Sequence, residues 1–188
     1  MTSEIEVEMK LPITDIVSLQ DKLELLNAQR LGISIQSDMY FNHPCRDFSS
    51  TDEAIRIRES IDDADSGKDK TIELTYKGPK LSSGTKTRVE TSIELKRMHN
   101  ASLLLLQLGF KHVQTVKKTR TSYNLNGITL TIDQIDGLGA FVEVEKIVES
   151  HEDIPRVEKQ LNKLLDKLGL DPSTTIRVSY LEMLLELS

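Results

Sequence analysis

The sequence predicts an α+β protein in which eight antiparallel strands present one charged and one apolar face, with amphipathic helices packed on the apolar one. Three observations carry this. Charged and apolar residues alternate with period two in eight segments, polar or glycine-bearing turns separate several of them, and four further segments repeat aliphatic residues at spacings of three and four.

The first segment, Glu4-Ile5-Glu6-Val7-Glu8-Met9-Lys10-Leu11, alternates strictly, and only an extended chain sorts such a pattern onto two faces. The period returns at Ile33–Phe41, Ala54–Arg58, Thr71–Lys77, Arg88–Leu95, Val116–Tyr123, Ile128–Ile135 and Phe141–Ile147. Asp62–Asp69 and Gly78–Gly84 read as connections, and Asn126-Gly127 suits a type I′ hairpin turn. Pro44 and Pro79 mark strand ends, because proline cannot donate to a ladder, and Tyr40 and Tyr123 are expected near the rim of the sheet.

The first predicted helix is Thr14–Gln29, with a threonine cap and Ile16, Leu19, Leu23 and Leu26 on one face. A second spans Asn100–Leu108 and stops at Gly109; a third spans Pro155–Leu168, with proline in its first turn and Gly169 after its end. The last runs from Pro172 or Ser173 to Leu187. The leucine run 103–106 and the stripe Val157, Leu161, Leu164, Leu168 are expected to be helix core, with part of the last helix available for a subunit contact.

The length of 188 residues with 38% hydrophobic composition fits one domain over residues 1–188. A net charge of −6, from 30 acidic and 24 basic residues, argues against a nucleic-acid partner held by phosphate neutralisation. Cys45 is the sole cysteine, the N-terminal residues resemble no leader, and the longest aliphatic run is too short to span a bilayer, so a cytoplasmic protein without membrane or disulfide is expected. His43, His99, His112 and Cys45 lack any ligand spacing and are read as turn or surface residues.

In most strands the charged residues share one parity: Glu4, Glu6, Glu8 and Lys10; Arg56 and Arg58; Glu73 and Lys77; Arg88, Glu90 and Glu94; Lys118 and Arg120; Glu143 and Glu145. Amphipathic helices need an apolar surface to cover. Either the sheet closes inside out, with its charged parity lining the interior, or it stays open with helices on one side and water on the other; the pattern is satisfied by both. A closed charged interior calls for a ligand, since desolvated charges persist only when paired or coordinated. Arginines offer forked contacts to phosphate oxygens, and carboxylates suit hard cations such as Mg²⁺ or Mn²⁺.

Glu6-Val7-Glu8-Met9-Lys10 matches an E-x-E-x-K signature, and its company extends along the chain. Gln36-x-Asp38-x-Tyr40-Phe41, His43-Pro44-x-Arg46-Asp47-Phe48, Thr51 to Arg58 and Tyr76-Lys77-Gly78-Pro79-Lys80 come first. Arg88-x-Glu90, Lys118-x-Arg120-x-x-Tyr123, Asp133, Gly137-Leu138-Gly139-x-Phe141-x-Glu143-x-Glu145 and Ser179-Tyr180-Leu181 follow. Together these resemble the CYTH, or triphosphate tunnel metalloenzyme, family, and the stretch Asp38–Arg58 is most similar to class IV adenylyl cyclase-like proteins of the kind common in archaea. Ser92 departs from the pattern, standing where relatives often carry an acid, so Glu94 is left outside the site.

The resemblance implies a closed eight-stranded antiparallel tunnel with a charged interior and helices outside. It implies metal ligation by Glu6, Glu8, Asp133, Glu143 and Glu145, with Mg²⁺ or Mn²⁺ as cofactor, and phosphate binding by Lys10, Arg56, Arg58, Lys77, Arg88, Lys118 and Arg120. The leading activity is ATP to cyclic AMP and pyrophosphate, with Glu8, Glu143, Glu145 and Lys10 carrying the chemistry. The alternatives are hydrolysis of tripolyphosphate, thiamine triphosphate or a nucleoside triphosphate, with Lys10 orienting water, and a non-catalytic polyphosphate- or nucleotide-binding module. A homodimer is a further implication.

Overall fold

The computed structural model describes residues 4–62, 70–79 and 88–187, so most of the expected Asp62–Asp69 and Gly78–Gly84 connections lie outside the described residues. The chain runs through β1 (Glu4–Ile13), α1 (Ile16–Leu25), β2 (Gln29–Asn42), α2 (Phe48–Thr51), β3 (Ala54–Asp62), β4 (Lys70–Lys77) and β5 (Arg88–Glu94). It continues through α3 (Met98–Gln107), β6 (Lys111–Leu125), β7 (Ile128–Ile135), β8 (Gly139–Val148), α4 (Ile154–Lys167) and α5 (Tyr180–Glu186).

The strands form a closed antiparallel barrel in the order β1-β5-β4-β3-β2-β6-β7-β8, which decides between the two arrangements that the sequence pattern allows. The barrel is inside out. Ile5, Val7, Met9 and Leu11 of β1 point outward and pack with Leu130, Ile132, Val142 and Val144 beneath α1 and α4. A second outer cluster joins Phe41, Ile57, Ile72 and Leu105 under α3. The opposite parity therefore faces the lumen.

Turns follow their residues. Asn126 and Gly127 both take positive φ (54° and 74°), as a type I′ turn requires. The cap of α1 is Asp15 rather than Thr14, its carboxylate accepting from the Ser18 amide at 2.9 Å. Asn27 then turns left-handed (φ 57°), so α1 ends at Leu25 and β2 begins already at Gln29. The short α2, absent from the sequence reading, is capped by Asp47, whose side chain accepts from the Ser49 amide. Within the leucine run only Leu105 is buried, because α3 rests on the barrel by one narrow face; Leu103, Leu104 and Leu106 are exposed, contrary to the core expected there. The α4 stripe Val157, Leu161, Leu164, Leu168 is buried as expected. Tyr123 lies on the outer surface, accepting from Gln20, whereas Tyr40 faces the lumen.

The predicted last helix is the largest departure. Residues 172–174 form a single 3-10 turn, residues 175–179 form neither helix nor strand, and α5 starts only at Tyr180. Among the described residues β1 pairs with β5 through Glu4, Ile5 and Glu6. Farther along β1 the C-terminal segment joins it: the Ile176 amide donates to the Lys10 carbonyl at 2.7 Å. Ser179 caps α5 in a reciprocal capping box with Glu182.

Candidate active site

The lumen holds a cavity of about 920 Å³, lined on one wall by Glu6 and Glu8 of β1 with Glu143 and Glu145 of β8. Asp38, Arg56, Arg58, Lys118 and Arg120 line it from β2, β3 and β6, and Lys77, Arg88 and Glu90 from β4 and β5. Strand register sets which of these meet: Glu8 faces Glu145, and Lys10 faces Glu143, across the β1–β8 ladder.

Carboxylate oxygens of Glu6, Glu8 and Glu145 come within 4.8 Å of one another. Burial pushes the Glu6 carboxyl well above its ordinary value; Lys77 opposes this, and Glu145, Glu90 and Glu8 add to it. Burial likewise raises Glu145 from 4.5 to about 7, with Arg120 opposing and Glu8 and Glu143 reinforcing. Carboxyls forced together in a desolvated place need a counter-charge, and an all-oxygen trio suits a hard divalent cation. The residues present fit such an ion.

The pH dependence follows from sign. A group whose folded pKa is raised stabilises most below its unfolded value, and that contribution is lost as pH rises, here between about 4.5 and 7 for Glu145. A divalent cation supplies the missing counter-charge only once the carboxyls have lost their protons. Mg²⁺ at ~100 times its Kd is therefore expected to raise Tm by about 5–10 °C near pH 8 and by little near pH 5.5. Differential scanning fluorimetry at the two pH values checks this, and equal shifts would count against the trio.

The basic wall is pre-paired. Arg58 grips Asp38 through two bonds of 2.7 Å, and although burial alone would raise Asp38, the guanidinium holds its carboxyl far below the usual range. Arg120 donates to Asp133 at 2.6 and 2.5 Å and to Glu143 at 2.5 Å. Lys77 is bonded to Glu90, Arg88 reaches Asp52, and Arg56 contacts Glu73 at 3.4 Å and Thr75 at 3.3 Å while its buried Nε has no protein partner. Burial, with Arg120 and Arg58 close by, lowers the Lys118 ammonium to about 8. Arginine forks already aimed into a cavity, one with a buried donor still open, are what oxyanions of a polyphosphate need.

Two predicted residues stand off the cavity wall. Lys10 is fully buried, its ammonium donating to the Val178 carbonyl and lying 4.1 Å from the ring centroid of Tyr180. Asp133 is fully buried too, accepting from Arg120, Lys118 and the Tyr180 hydroxyl. The other predicted positions all line the cavity. Asp38, Glu90 and Tyr180 belong to the same constellation but were not among the predicted site residues. Asp38 and Glu90 could have been found from their inward parity beside Tyr40 and Arg88; Tyr180 carried no such signal, since it lies on no strand. His43, His99, His112 and Cys45 lie outside the cavity lining, and Cys45 is exposed.

Comparison with known proteins agrees with this geometry. The chain matches the CYTH domain over residues 4–180. It is 35% identical over 179 residues to a Methanocaldococcus jannaschii protein, MJ0240, that bears an adenylate cyclase name, covering 95% of this chain and 98% of that one. The adenylate cyclase CyaB of Aeromonas hydrophila is 27% identical over 177 residues, covering 93% of this chain and 86% of that one. The solved structure of protein PH1819 from Pyrococcus horikoshii superposes with a TM-score of 0.88 at 39% identity, covering 97% of this chain and 99% of that chain. A closed eight-stranded barrel, a charged lumen and a family match along almost the whole length lead to one conclusion: the chain belongs to the CYTH family.

Proposed function

We propose that this chain is a divalent-metal-dependent enzyme that converts ATP to cyclic AMP and pyrophosphate. The observation that carries the reading is the opposition, across one cavity, of the carboxylate trio Glu6, Glu8, Glu145 and the arginine wall of Arg56, Arg58 and Arg120. The adenylate cyclase names of two relatives support the choice of reaction.

In this reading Glu6, Glu8 and Glu145, with Glu143 beside them, hold Mg²⁺ or Mn²⁺. Bound there, the cation would lower the pKa of the ribose 3′-hydroxyl and offset phosphate charge. Arg56, Arg58, Lys118 and Arg120 grip the β- and γ-phosphates, and Lys77 and Arg88 extend the grip along β4 and β5. This anchoring leaves the α-phosphate beside the ribose. The bond from the 3′-oxygen to the α-phosphorus forms as the bond from that phosphorus to the departing pyrophosphate oxygen breaks, and the hydroxyl proton leaves to solvent. Catalysis is positioning plus charge stabilisation of the leaving pyrophosphate. Asp133 serves as the anchor of Arg120 and Lys118, and Lys10 adds positive potential from behind the wall.

Product analysis tests the reading. With Mg²⁺ or Mn²⁺, ATP is expected to yield cyclic AMP and pyrophosphate in equal amounts, with tripolyphosphate acting as a competitive inhibitor. Orthophosphate release from tripolyphosphate far faster than cyclic AMP formation would replace the cyclase reading with a triphosphatase.

A further inference from the structure

Several residues of the C-terminal segment border the charged cavity, and one of them, Tyr180, touches the charged constellation directly. Tyr180, at the start of α5, is buried. Its hydroxyl donates to Asp133 Oδ2 at 3.1 Å. Its ring centroid lies 4.1 Å from the Lys10 ammonium and 5.4 Å from that of Lys118. It packs on Phe141 at 5.2 Å between ring centroids.

The seat is held from several sides. Ile176 donates to the Lys10 carbonyl, Lys10 returns a bond to the Val178 carbonyl, and Ser179 and Glu182 cap the helix that begins at Tyr180. Leu181 and Leu184 pack with Val116, Ile135 and Phe141 below the lumen. The backbone that presents Tyr180 is thus fixed to β1 at Lys10.

We propose that Tyr180 is a positioning residue of the triphosphate cavity: its hydroxyl keeps Asp133 in place and its ring fixes the Lys10 and Lys118 ammonium groups. The proposal rests on the reading that the cavity holds a triphosphate. Asp133 accepts from Arg120, Lys118 and Tyr180 together. An arriving polyphosphate competes for the two cations, which then divide their donors between Asp133 and phosphate. The Tyr180 hydroxyl is neutral and holds its bond to Asp133 throughout, so Asp133 remains the fixed point from which Arg120 and Lys118 reach. The aromatic face receives both ammonium groups without neutralising them, a contact that strengthens where water is excluded. Lys10 thereby contributes charge to the lumen without a direct phosphate contact.

Tyr180→Phe keeps the ring and removes the hydroxyl, whereas Tyr180→Leu removes both. Binding of tripolyphosphate with Mg²⁺ by calorimetry, and ATP turnover, are compared across the three chains. Removing the hydroxyl is expected to lower kcat by ~10–100-fold, the size typical of lost supporting contacts, with the tripolyphosphate Kd within about threefold of wild type. Tyr180→Leu is expected to weaken tripolyphosphate binding by at least tenfold as well. Should the leucine variant not fold, the phenylalanine variant decides alone. A Tyr180→Phe enzyme with kcat within about twofold of wild type overturns the proposal while leaving the triphosphate reading intact. A wild-type chain that neither binds tripolyphosphate nor turns over ATP overturns both.

Discussion

Replacing Glu145 with Gln is expected to lower turnover by at least ~10²-fold while leaving the metal-free fold as stable as wild type or more so. The two effects have one cause. Glu145 sits against Glu6 and Glu8, and burial, reinforced by Glu8 and Glu143, lifts its carboxyl to about 7. Near neutral pH the charged form costs stability, and a neutral amide of the same shape removes that cost. The same change deletes an anionic oxygen from the cation site, and loss of several kcal/mol of charge stabilisation translates into two or more decades of rate. Glu143→Gln should show the rate loss without the gain in stability, because Glu143 is already paired with Arg120 at 2.5 Å. Steady-state rates with urea melts in EDTA check both, and near-normal turnover in the two variants would remove the carboxylates from the mechanism.

The second large effect concerns the buried Arg58–Asp38 pair. Arg58→Leu is expected to destabilise the chain by ~3–5 kcal/mol at pH 7, because Asp38, 2% exposed, loses both of its 2.7 Å bonds and stays charged. Arg56 and Lys118 act on the same carboxylate and soften the loss, which places it at the lower end of that range. In wild type, the depressed Asp38 contributes stability above its unfolded pKa and loses it as pH falls; in the variant the sign reverses, so the deficit narrows on acidification. The double change Arg58→Leu, Asp38→Leu should recover most of the stability without recovering tripolyphosphate affinity. Chemical denaturation measures the first and calorimetry the second.

The strands were legible because side-chain parity is local: Glu6-Val7-Glu8-Met9-Lys10 can sort its charges in only one way. Closure was not, since it depends on pairing of Glu4–Glu6 with Arg88–Glu90, far apart in sequence, and an open sheet satisfies the same pattern. The cavity acids were legible as a set, but which three converge is a matter of register, Glu8 opposite Glu145, and no spacing reveals it. The C-terminal segment misled for a different reason. Its leucines repeat with helical period, yet residues 175–179 form no helix, and the Ile176 amide donates to the Lys10 carbonyl of β1 instead. Ser179-x-x-Glu182 marked the true helix start, a capping-box signal visible in the sequence. Lys10 was assigned to phosphate by its place in the E-x-E-x-K signature, and only the arrival of Val178 and Tyr180 shows it turned to a carbonyl and an aromatic ring.

A crystal structure with tripolyphosphate and Mn²⁺, using anomalous scattering to place the metal, tests the central claim most directly. The expected result is a Mn²⁺ peak among Glu6, Glu8 and Glu145, with phosphate oxygens on Arg56, Arg58, Lys118 and Arg120 inside the barrel. Metal and phosphate bound only outside the barrel, with the lumen still closed by its own ion pairs, would contradict it.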